Sequence, residues 1–222
     1  MDMMFGMNSE TGVAVFAKAP IEGFAKTRLI PRLGAKAAAD LQCYMIEQTV
    51  RTAIESQIGP VSLWCAPDCS HPVFTSLAAK LPIELLPQSG PDLGARMLNA
   101  FEMSTPSHPL VLIGCDCPVL RPLHLEICTA TLRSDHDVVF IPTEDGGYAL
   151  VAAAKPWPEL FHGICWGSSS VMSETRFHAT QLGLRISEPV MLWDIDTPED
   201  FDRAAKLGLL TSNRGTLNRK WK

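Results

Sequence analysis

Short apolar stretches alternate with longer amphipathic ones along most of the chain. The short stretches are rich in aliphatic residues and end at Gly, Pro or Asp, which is typical of strands buried on both faces. In the longer stretches, apolar residues recur every three or four positions, as they do on helices with one buried side. The predicted strands are residues 12–19, 61–66, 83–86, 110–113, 137–142, 148–152 and 185–192. The predicted helices are residues 35–58, 72–80, 95–103, 122–133, 157–161, 169–182 and 198–208.

This alternation predicts an α/β fold in which helices cover both faces of one mainly parallel sheet. No repeat, low-complexity linker or break in composition divides the 222 residues. We therefore expect a single domain over residues 1–222, with its core at about 13–207 and a basic tail at 211–222.

The composition narrows the range of partners. Apolar residues make up 46% of the chain and charged residues 19%, as in an ordinary globular protein. The net charge of −5 argues against binding to nucleic acid, and no apolar run is long enough to span a membrane. The seven cysteines include no CxxC pair, and the N-terminus has no basic segment. These features indicate a reduced, cytoplasmic protein rather than a secreted or zinc-binding one.

Acidic residues follow several of the predicted strands. Asp116 comes after the central apolar run, Asp145 after the next strand, and Asp194 and Asp196 after the last. Because parallel strands end at one edge of a sheet, these carboxylates should lie near one another. Mg²⁺ and Mn²⁺ are usually held by one or two such groups together with substrate phosphates. The alternative is that these acids cap the helices that follow, and for Asp116 and Asp194 both interpretations stay open.

The loop after the first strand is basic. Gly23 gives this loop backbone freedom, and Lys26 and Arg28 bring two cations near the end of the strand. Such a loop suits a phosphate or diphosphate, although it matches neither the Walker loop nor the GxGxxG motif. Composition alone favours the simpler interpretation, a solvated turn in which both cations are hydrated.

Two further motifs combine glycine with aromatic residues. Asp145-Gly146-Gly147-Tyr148 either lets a ligand approach the backbone closely or forms an ordinary turn between two strands. Trp166-Gly167-Ser168-Ser169-Ser170 either presents serine N–H groups to an anion or caps a helix with serine. No GxSxG motif accompanies them, so serine hydrolysis is a poor fit.

Six motifs occur in the order found in one bacterial family. They are VFAKAPIEGFAKTRL (15–29), PDLGARM (91–97), IGCDCPVL (113–120), EDGGYAL (144–150), CWGSSSV (165–171) and DIDTPED (194–200). The chain resembles the DUF2064 family of GT-A-type glycosyltransferases in the nucleotide-diphosphosugar transferase superfamily, some members of which are labelled arsenosugar-biosynthesis glycosyltransferases. The resemblance implies a GT-A fold, a nucleotide bound over the first loop, and Mg²⁺ or Mn²⁺ as cofactor.

The resemblance also implies roles for individual residues. The residues implied to contact the nucleotide or its phosphates are Ala17, Lys18, Pro20, Gly23, Lys26, Arg28, Gly94 and Arg96. The implied metal ligands are Asp116 and Asp196, and the implied catalytic residues are Asp116 and Asp145. The residues implied to contact the substrate are Gly146, Gly147, Tyr148, Trp166 and Ser168. The family usually has threonine at position 168, and serine keeps the hydroxyl group.

The function implied by the resemblance is glycosyl transfer from a nucleotide sugar to a small-molecule acceptor. The superfamily also contains nucleotidyltransferases with similar GxDxP and DxDTPED segments, so transfer from a nucleoside triphosphate is the alternative. The central strand lacks the D-x-D of a typical glycosyltransferase, because Asp116 is followed by Cys117 and Pro118. A second alternative is a non-catalytic nucleotide-binding module that has kept the fold.

Overall fold

A seven-stranded sheet forms the centre of the protein. The structure, a computed structural model, describes residues 10–105 and 107–210. The sheet order is β3-β2-β1-β4-β6-β5-β7. The strands are β1 (Gly12–Lys18), β2 (Val61–Ala66), β3 (Ile83–Pro87), β4 (Leu110–Gly114), β5 (Val138–Pro142), β6 (Tyr148–Ala153) and β7 (Ile186–Ser187). Strand β6 runs antiparallel to β4 and β5, whereas the other neighbouring strands pair in parallel. The predicted α/β fold with a mainly parallel sheet is therefore confirmed.

Helices connect most of the strands. They are α1 (Ile30–Leu33), α2 (Ala35–Glu55), α3 (Pro72–Ala78), α4 (Leu93–Ser104), α5 (Pro122–Arg133), α6 (Val171–Gln181) and α7 (Pro198–Lys206). Short 3-10 turns occupy Thr27–Leu29 and Pro158–Leu160. In the part of the chain that the structure describes, no helix has the length and apolar character needed to cross a bilayer.

Two apolar cores lie on opposite faces of the sheet, because successive side chains of a strand alternate between its faces. On β1, Val13 and Val15 pack with α2, α3 and α5, whereas Ala14 and Phe16 pack with α4 and α6. Strands β1 and β4 are buried on both sides, which explains why their sequences are continuous apolar runs.

The structure differs from the predicted elements after β6. The predicted strand at 185–192 is reduced to β7 and a single bridge between Thr143 and Leu192. Pro189 interrupts this run, because proline has no N–H to donate to the ladder. The predicted helix at 157–161 is a 3-10 turn, and α6 begins at Val171 rather than at 169.

A third, smaller apolar cluster fixes the segment that leads into α7. It packs Trp193 and Ile195 of this segment with Leu41 of α2. Thr197 then caps α7 in a reciprocal arrangement, in which its side chain accepts from the Asp200 N–H and the Asp200 carboxylate accepts from the Thr197 N–H. The segment therefore follows a fixed path along the edge of the sheet.

Candidate active site

Acidic side chains from three parts of the chain converge at the edge where β1, β4 and β5 end. Asp116 follows β4, Asp145 follows β5, and Asp194 and Asp196 lie in the segment before α7. One carboxylate oxygen from each of Asp145, Asp194 and Asp196 can be chosen so that all three lie within 4.8 Å of one another. We call these three residues the acidic triad.

The path of the segment before α7 places two of these acids in the cleft. Trp193 and Ile195 are buried in the third apolar cluster, and the intervening Asp194 is left partly exposed. The Ile195 N–H donates to the Asp116 carbonyl at 2.8 Å, which ties the segment to the end of β4. Alternation in an extended segment therefore turns Asp194 and Asp196 to the same side.

Lys26 lies among these carboxylates. Its backbone is left-handed (φ 47°), and its side chain is only 5% exposed. The ammonium Nζ is 2.6 Å from Asp116 Oδ1 and 3.7 Å from Asp196 Oδ1, and it donates to the Ile195 carbonyl at 2.6 Å. Burial works to lower the pKa of Lys26, but the Asp116 carboxylate and its acidic neighbours outweigh burial and raise the pKa above 10.5. The sequence-based expectation of a hydrated Lys26 is therefore wrong.

Arg28 adds a second cation at the mouth of the site. Its side chain is 63% exposed, and its Nη1 is 3.1 Å from Asp196 Oδ2. Asp196 thus has a cation near each of its oxygens, with Lys26 near Oδ1 and Arg28 near Oδ2. Arg28 remains open to solvent on its other side, so its guanidinium is accessible to an anionic ligand.

Asp145 is held by the turn between β5 and β6. Its Oδ1 accepts from the Thr143 hydroxyl at 2.6 Å and from the Gly147 N–H at 3.0 Å. Glu144 pairs with Arg203 of α7 at 2.7 Å, which links this turn to the helix that follows the acidic triad. The turn therefore fixes the direction in which the exposed Asp145 carboxylate points.

Asp194 has a strongly shifted acidity. Burial, followed by the charges of Asp145, Asp196 and Asp116, raises its pKa from 3.8 to about 7. The sequence left Asp194 divided between a cap and a functional residue, and in the structure Thr197 provides the α7 cap. Asp194 therefore belongs with the acids of the cleft, although the sequence did not place it among the site residues.

We expect Asp194→Asn to raise the free energy of unfolding near pH 7 by about 1–2 kcal/mol, after allowing for screening by water. The reason is that the folded protein, with an Asp194 pKa of about 7, binds this proton more strongly than the unfolded chain, with a pKa near 3.8. The contribution of Asp194 to stability should therefore fall as the pH rises from about 4 to about 7 in the wild type, and it should be absent in the variant. Urea titrations at several pH values measure both slopes, and equal slopes would contradict this assignment.

A cleft runs along the same edge of the sheet. A cavity of about 720 Å³ is lined by Lys18, Phe24, Gln88 and Arg96, and also by Asp116 and Asp194. A neighbouring cavity of about 260 Å³ shares Asp194 and extends past Trp166 and the rest of the acidic triad. A third, of about 210 Å³, surrounds the basic loop with its Lys26 and Arg28. Such volumes suit a ligand with several parts.

Two glutamines line the cleft and were missed by the sequence interpretation. Gln88 Nε2 donates to the carbonyls of Trp64 at 2.9 Å and Ala17 at 3.3 Å, so its amide bridges the ends of β1 and β2. Gln42 is 6% exposed and faces the cleft from α2. A signal was available for Gln42, because it lies on the apolar side of a helix, where a polar residue calls for an explanation.

A family model matches the chain over residues 49–168, and its description is "Uncharacterized protein conserved in bacteria (DUF2064)". The match covers more than half of the sequence. The chain belongs to the DUF2064 family. Three of the six motifs lie inside the matched range and the motif at 165–171 crosses its end, whereas the basic loop and the segment before α7 lie outside it. A search of curated proteins finds no match to the chain.

Solved structures share the fold of this DUF2064 protein. A Desulfovibrio desulfuricans G20 protein, provisionally named a nucleotide-diphospho-sugar transferase, is similar with a TM-score of 0.82 and 24% identity over 92% of this chain and 90% of that one. CMP:2-keto-3-deoxy-manno-octonic acid synthetase in complex with CTP is similar with a TM-score of 0.60 and 12% identity, over 90% of this chain and 98% of that one. Glucosyl-3-phosphoglycerate synthase from Mycobacterium tuberculosis, in complex with Mn²⁺, UDP and phosphoglyceric acid, is similar with a TM-score of 0.51 and 12% identity, over 88% of this chain and 74% of that one.

The DUF2064 motif residues predicted to contact the nucleotide lie in different settings. Lys18 and Arg96 line the 720 Å³ cavity. Gly23 has a φ of 83° and open space where a side chain would be. Ala17 and Pro20 are buried beside the loop.

Gly94 has a packing role at the start of α4. A Cβ atom on Gly94 would lie 2.5 Å from the Phe161 carbonyl oxygen and 2.6 Å from Trp166 Nε1. The helix can therefore approach this wall of the cleft only because residue 94 has no side chain.

Of the residues predicted to contact the substrate, some line a cavity and others are held in local packing or hydrogen bonds. Tyr148 and Trp166 line the 260 Å³ cavity, with ring centroids 6.4 Å apart in an edge-to-face arrangement. A Cβ atom on Gly146, whose φ is 93°, would collide with the Ser169 backbone. The Ser168 hydroxyl donates to the Cys165 carbonyl at 2.7 Å. Of the two interpretations of the serine motif, the serine cap is not observed, since no side chain caps α6.

Proposed function

We propose that this DUF2064 protein is a metal-dependent transferase that acts on a nucleotide-activated donor and transfers a glycosyl group to a small-molecule acceptor. The observation that carries the proposal is the meeting of Lys26 and Arg28 with the carboxylates of Asp116 and the acidic triad at the mouth of one cleft. Cations suit a diphosphate, and clustered carboxylates suit a divalent metal.

The donor atoms fit Mg²⁺ or Mn²⁺. Asp116, Asp145, Asp194 and Asp196 offer oxygen atoms alone, which is the ligand type that these hard cations prefer. The sequence-based pair of Asp116 and Asp196 remains a proposal, and the closeness of Asp194 to Asp196 within the acidic triad supports Asp194 as a further ligand. A bound Mg²⁺ or Mn²⁺ would stabilise negative charge on the diphosphate.

In the proposed reaction, residues of the cleft have separate roles. Lys26 and Arg28 bind the diphosphate and stabilise the charge that develops as the donor bond breaks. Tyr148 and Trp166 form an apolar wall that positions the acceptor. The Asp145 carboxylate, fixed by its turn, orients an acceptor hydroxyl and takes its proton. The Tyr148 hydroxyl stays neutral and does not act as a base, because burial raises its pKa.

We also propose a domain organisation, binding partners and a location for this protein. We propose that residues 13–207 act as one domain, with the nucleotide and acceptor as the partners and no nucleic acid. All seven cysteines lie in the described part of the chain and are free thiols there, which supports a reducing, cytoplasmic location.

Product analysis separates the proposed reaction from its two alternatives. The protein is incubated with nucleotide sugars or with nucleoside triphosphates, each with and without Mn²⁺. Free nucleoside diphosphate from the sugars supports glycosyl transfer, whereas pyrophosphate from the triphosphates supports nucleotidyl transfer. The missing D-x-D after β4 is the feature that favours the second outcome. Nucleotide binding that needs no metal and survives Asp116→Ala, without turnover, would identify a non-catalytic module.

Arg28→Lys should weaken the affinity for a nucleoside diphosphate by about tenfold, because an ammonium cannot reproduce the two-pronged grip of a guanidinium. The melting temperature should stay close to that of the wild type, since Arg28 is mostly exposed. Arg32→Lys is the matched control, because Arg32 is also an exposed arginine that pairs with an aspartate, Asp202. Unchanged affinity together with a lowered melting temperature would contradict a phosphate-binding role.

A further inference from the structure

The position of Lys26 has a consequence for metal binding. Its ammonium lies between Asp116 Oδ1 at 2.6 Å and Asp196 Oδ1 at 3.7 Å, with the Ile195 carbonyl oxygen as a third neighbour at 2.6 Å. Three oxygen atoms of this kind are also what Mg²⁺ or Mn²⁺ would use. The ammonium therefore occupies the place from which a metal would bridge Asp116 and Asp196.

The two cations cannot share this place. Mg²⁺ binds oxygen at about 2.0–2.1 Å, so a metal between the same carboxylates would lie almost on top of the ammonium. Like charges at such a separation repel strongly, most of all where water is excluded. The Lys26 side chain is only 5% exposed, so its ammonium can leave these oxygen atoms only by turning into the neighbouring 210 Å³ cavity that Lys26 and Arg28 line.

We infer that Lys26 competes with the divalent metal for Asp116 and Asp196, and that the phosphates of the nucleotide open the site by drawing Lys26 towards themselves. The inference rests on the proposed function. The surroundings of Lys26 permit such a movement, because Lys26 lines the 210 Å³ cavity and the neighbouring Phe24 side chain is 67% exposed. Binding of nucleotide and metal is then coupled, and each raises the affinity for the other through the displaced ammonium.

The test measures Mn²⁺ binding without nucleotide, from the paramagnetic resonance signal of free Mn²⁺. Lys26→Met removes the competitor while keeping much of the side chain's volume, so it should bind Mn²⁺ at least about tenfold more tightly than the wild type. Lys80→Met is the control, because Lys80 is an exposed lysine that lines none of the three cavities. It removes the same charge outside the cleft, and should bind Mn²⁺ within about threefold of the wild type. Lys26→Gln, a neutral variant that can still donate to the Ile195 carbonyl, replaces Lys26→Met if that variant does not fold.

A second measurement uses the wild-type protein alone. Competition is mutual, so saturating Mn²⁺ should expose Lys26 and raise its rate of acetylation by acetic anhydride several-fold, as read by mass spectrometry. The rate at Lys80 in the same sample should stay constant. Equal Mn²⁺ affinity in Lys26→Met, Lys80→Met and wild type, or a Lys26 acetylation rate that Mn²⁺ does not change, would overturn the inference. Failure of the wild type to bind any nucleoside diphosphate in the presence of Mn²⁺ would instead overturn the proposed function.

Discussion

Replacing Asp196 by asparagine should reduce metal-dependent turnover by at least about a hundredfold. Asp196 belongs to the acidic triad and lies 3.7 Å from the Lys26 ammonium and 3.1 Å from Arg28 Nη1. The substitution removes a negative charge that any metal in this site would need, and it releases both cations from their shared partner. Turnover as a function of Mn²⁺ concentration measures the effect, and excess metal should restore only part of the rate.

The matched control for this substitution is Asp202→Asn. Asp202 is a neighbouring carboxylate on α7 that also pairs with an arginine, at 3.2 Å from Arg32 Nη2, but it lies outside the acidic triad. This variant should keep the Mn²⁺ dependence and most of the rate of the wild type. If Asp196→Asn keeps near wild-type turnover while remaining folded, Asp196 has no part in metal binding.

Lys26→Met should weaken nucleoside diphosphate binding by about ten- to a hundredfold, because one charge-assisted contact to phosphate is lost. It should also lower the free energy of unfolding by about 1–2 kcal/mol, since Asp116 loses its counter-ion while remaining half-exposed. Below pH 10.5 the stabilising charge of Lys26 is fully present, and it is lost as the pH rises through the raised pKa of Lys26. The stability difference from the wild type should therefore shrink only at strongly alkaline pH.

Calorimetric titration with nucleotide and urea unfolding measure these two effects separately. Lys18→Met serves as the stability control, because Lys18 is exposed and its loss should change stability by less than about 0.5 kcal/mol. Together with the tighter Mn²⁺ binding inferred above, Lys26→Met should gain metal affinity while it loses nucleotide affinity. A variant that loses both affinities, or neither, would contradict the position assigned to Lys26.

Much of the fold could be predicted because the decisive signals are local. Strands β1 and β4 are short apolar runs with sharp ends, and α2 shows its buried side as a periodicity of apolar residues. The exceptions are also local in cause. Pro189 breaks the hydrogen-bonding pattern of an otherwise strand-like run, so β7 is far shorter than its hydrophobic pattern indicates.

The acids of the site could be predicted for a different reason. Asp116 and Asp145 follow strands, and topology alone brings the ends of parallel strands to one edge. The contacts of Lys26 could not be predicted, because Asp116 and Asp196 lie far from it in the sequence and reach it only through packing. The close packing around Gly94 and Gly146 could not be predicted for the same reason, since the Phe161 and Ser169 backbones that crowd them are remote in sequence.

The most direct test of the account is thermal unfolding of the wild type with a panel of nucleoside diphosphates, each with and without Mn²⁺. At a hundred times its dissociation constant, a bound nucleotide adds about 2.7 kcal/mol to the free energy of unfolding, which a melting experiment detects easily. We expect at least one nucleoside diphosphate to give this stabilisation with Mn²⁺ and far less without it. No stabilisation by any nucleotide, or equal stabilisation with and without Mn²⁺, would contradict a metal-dependent nucleotide site at this edge of the sheet.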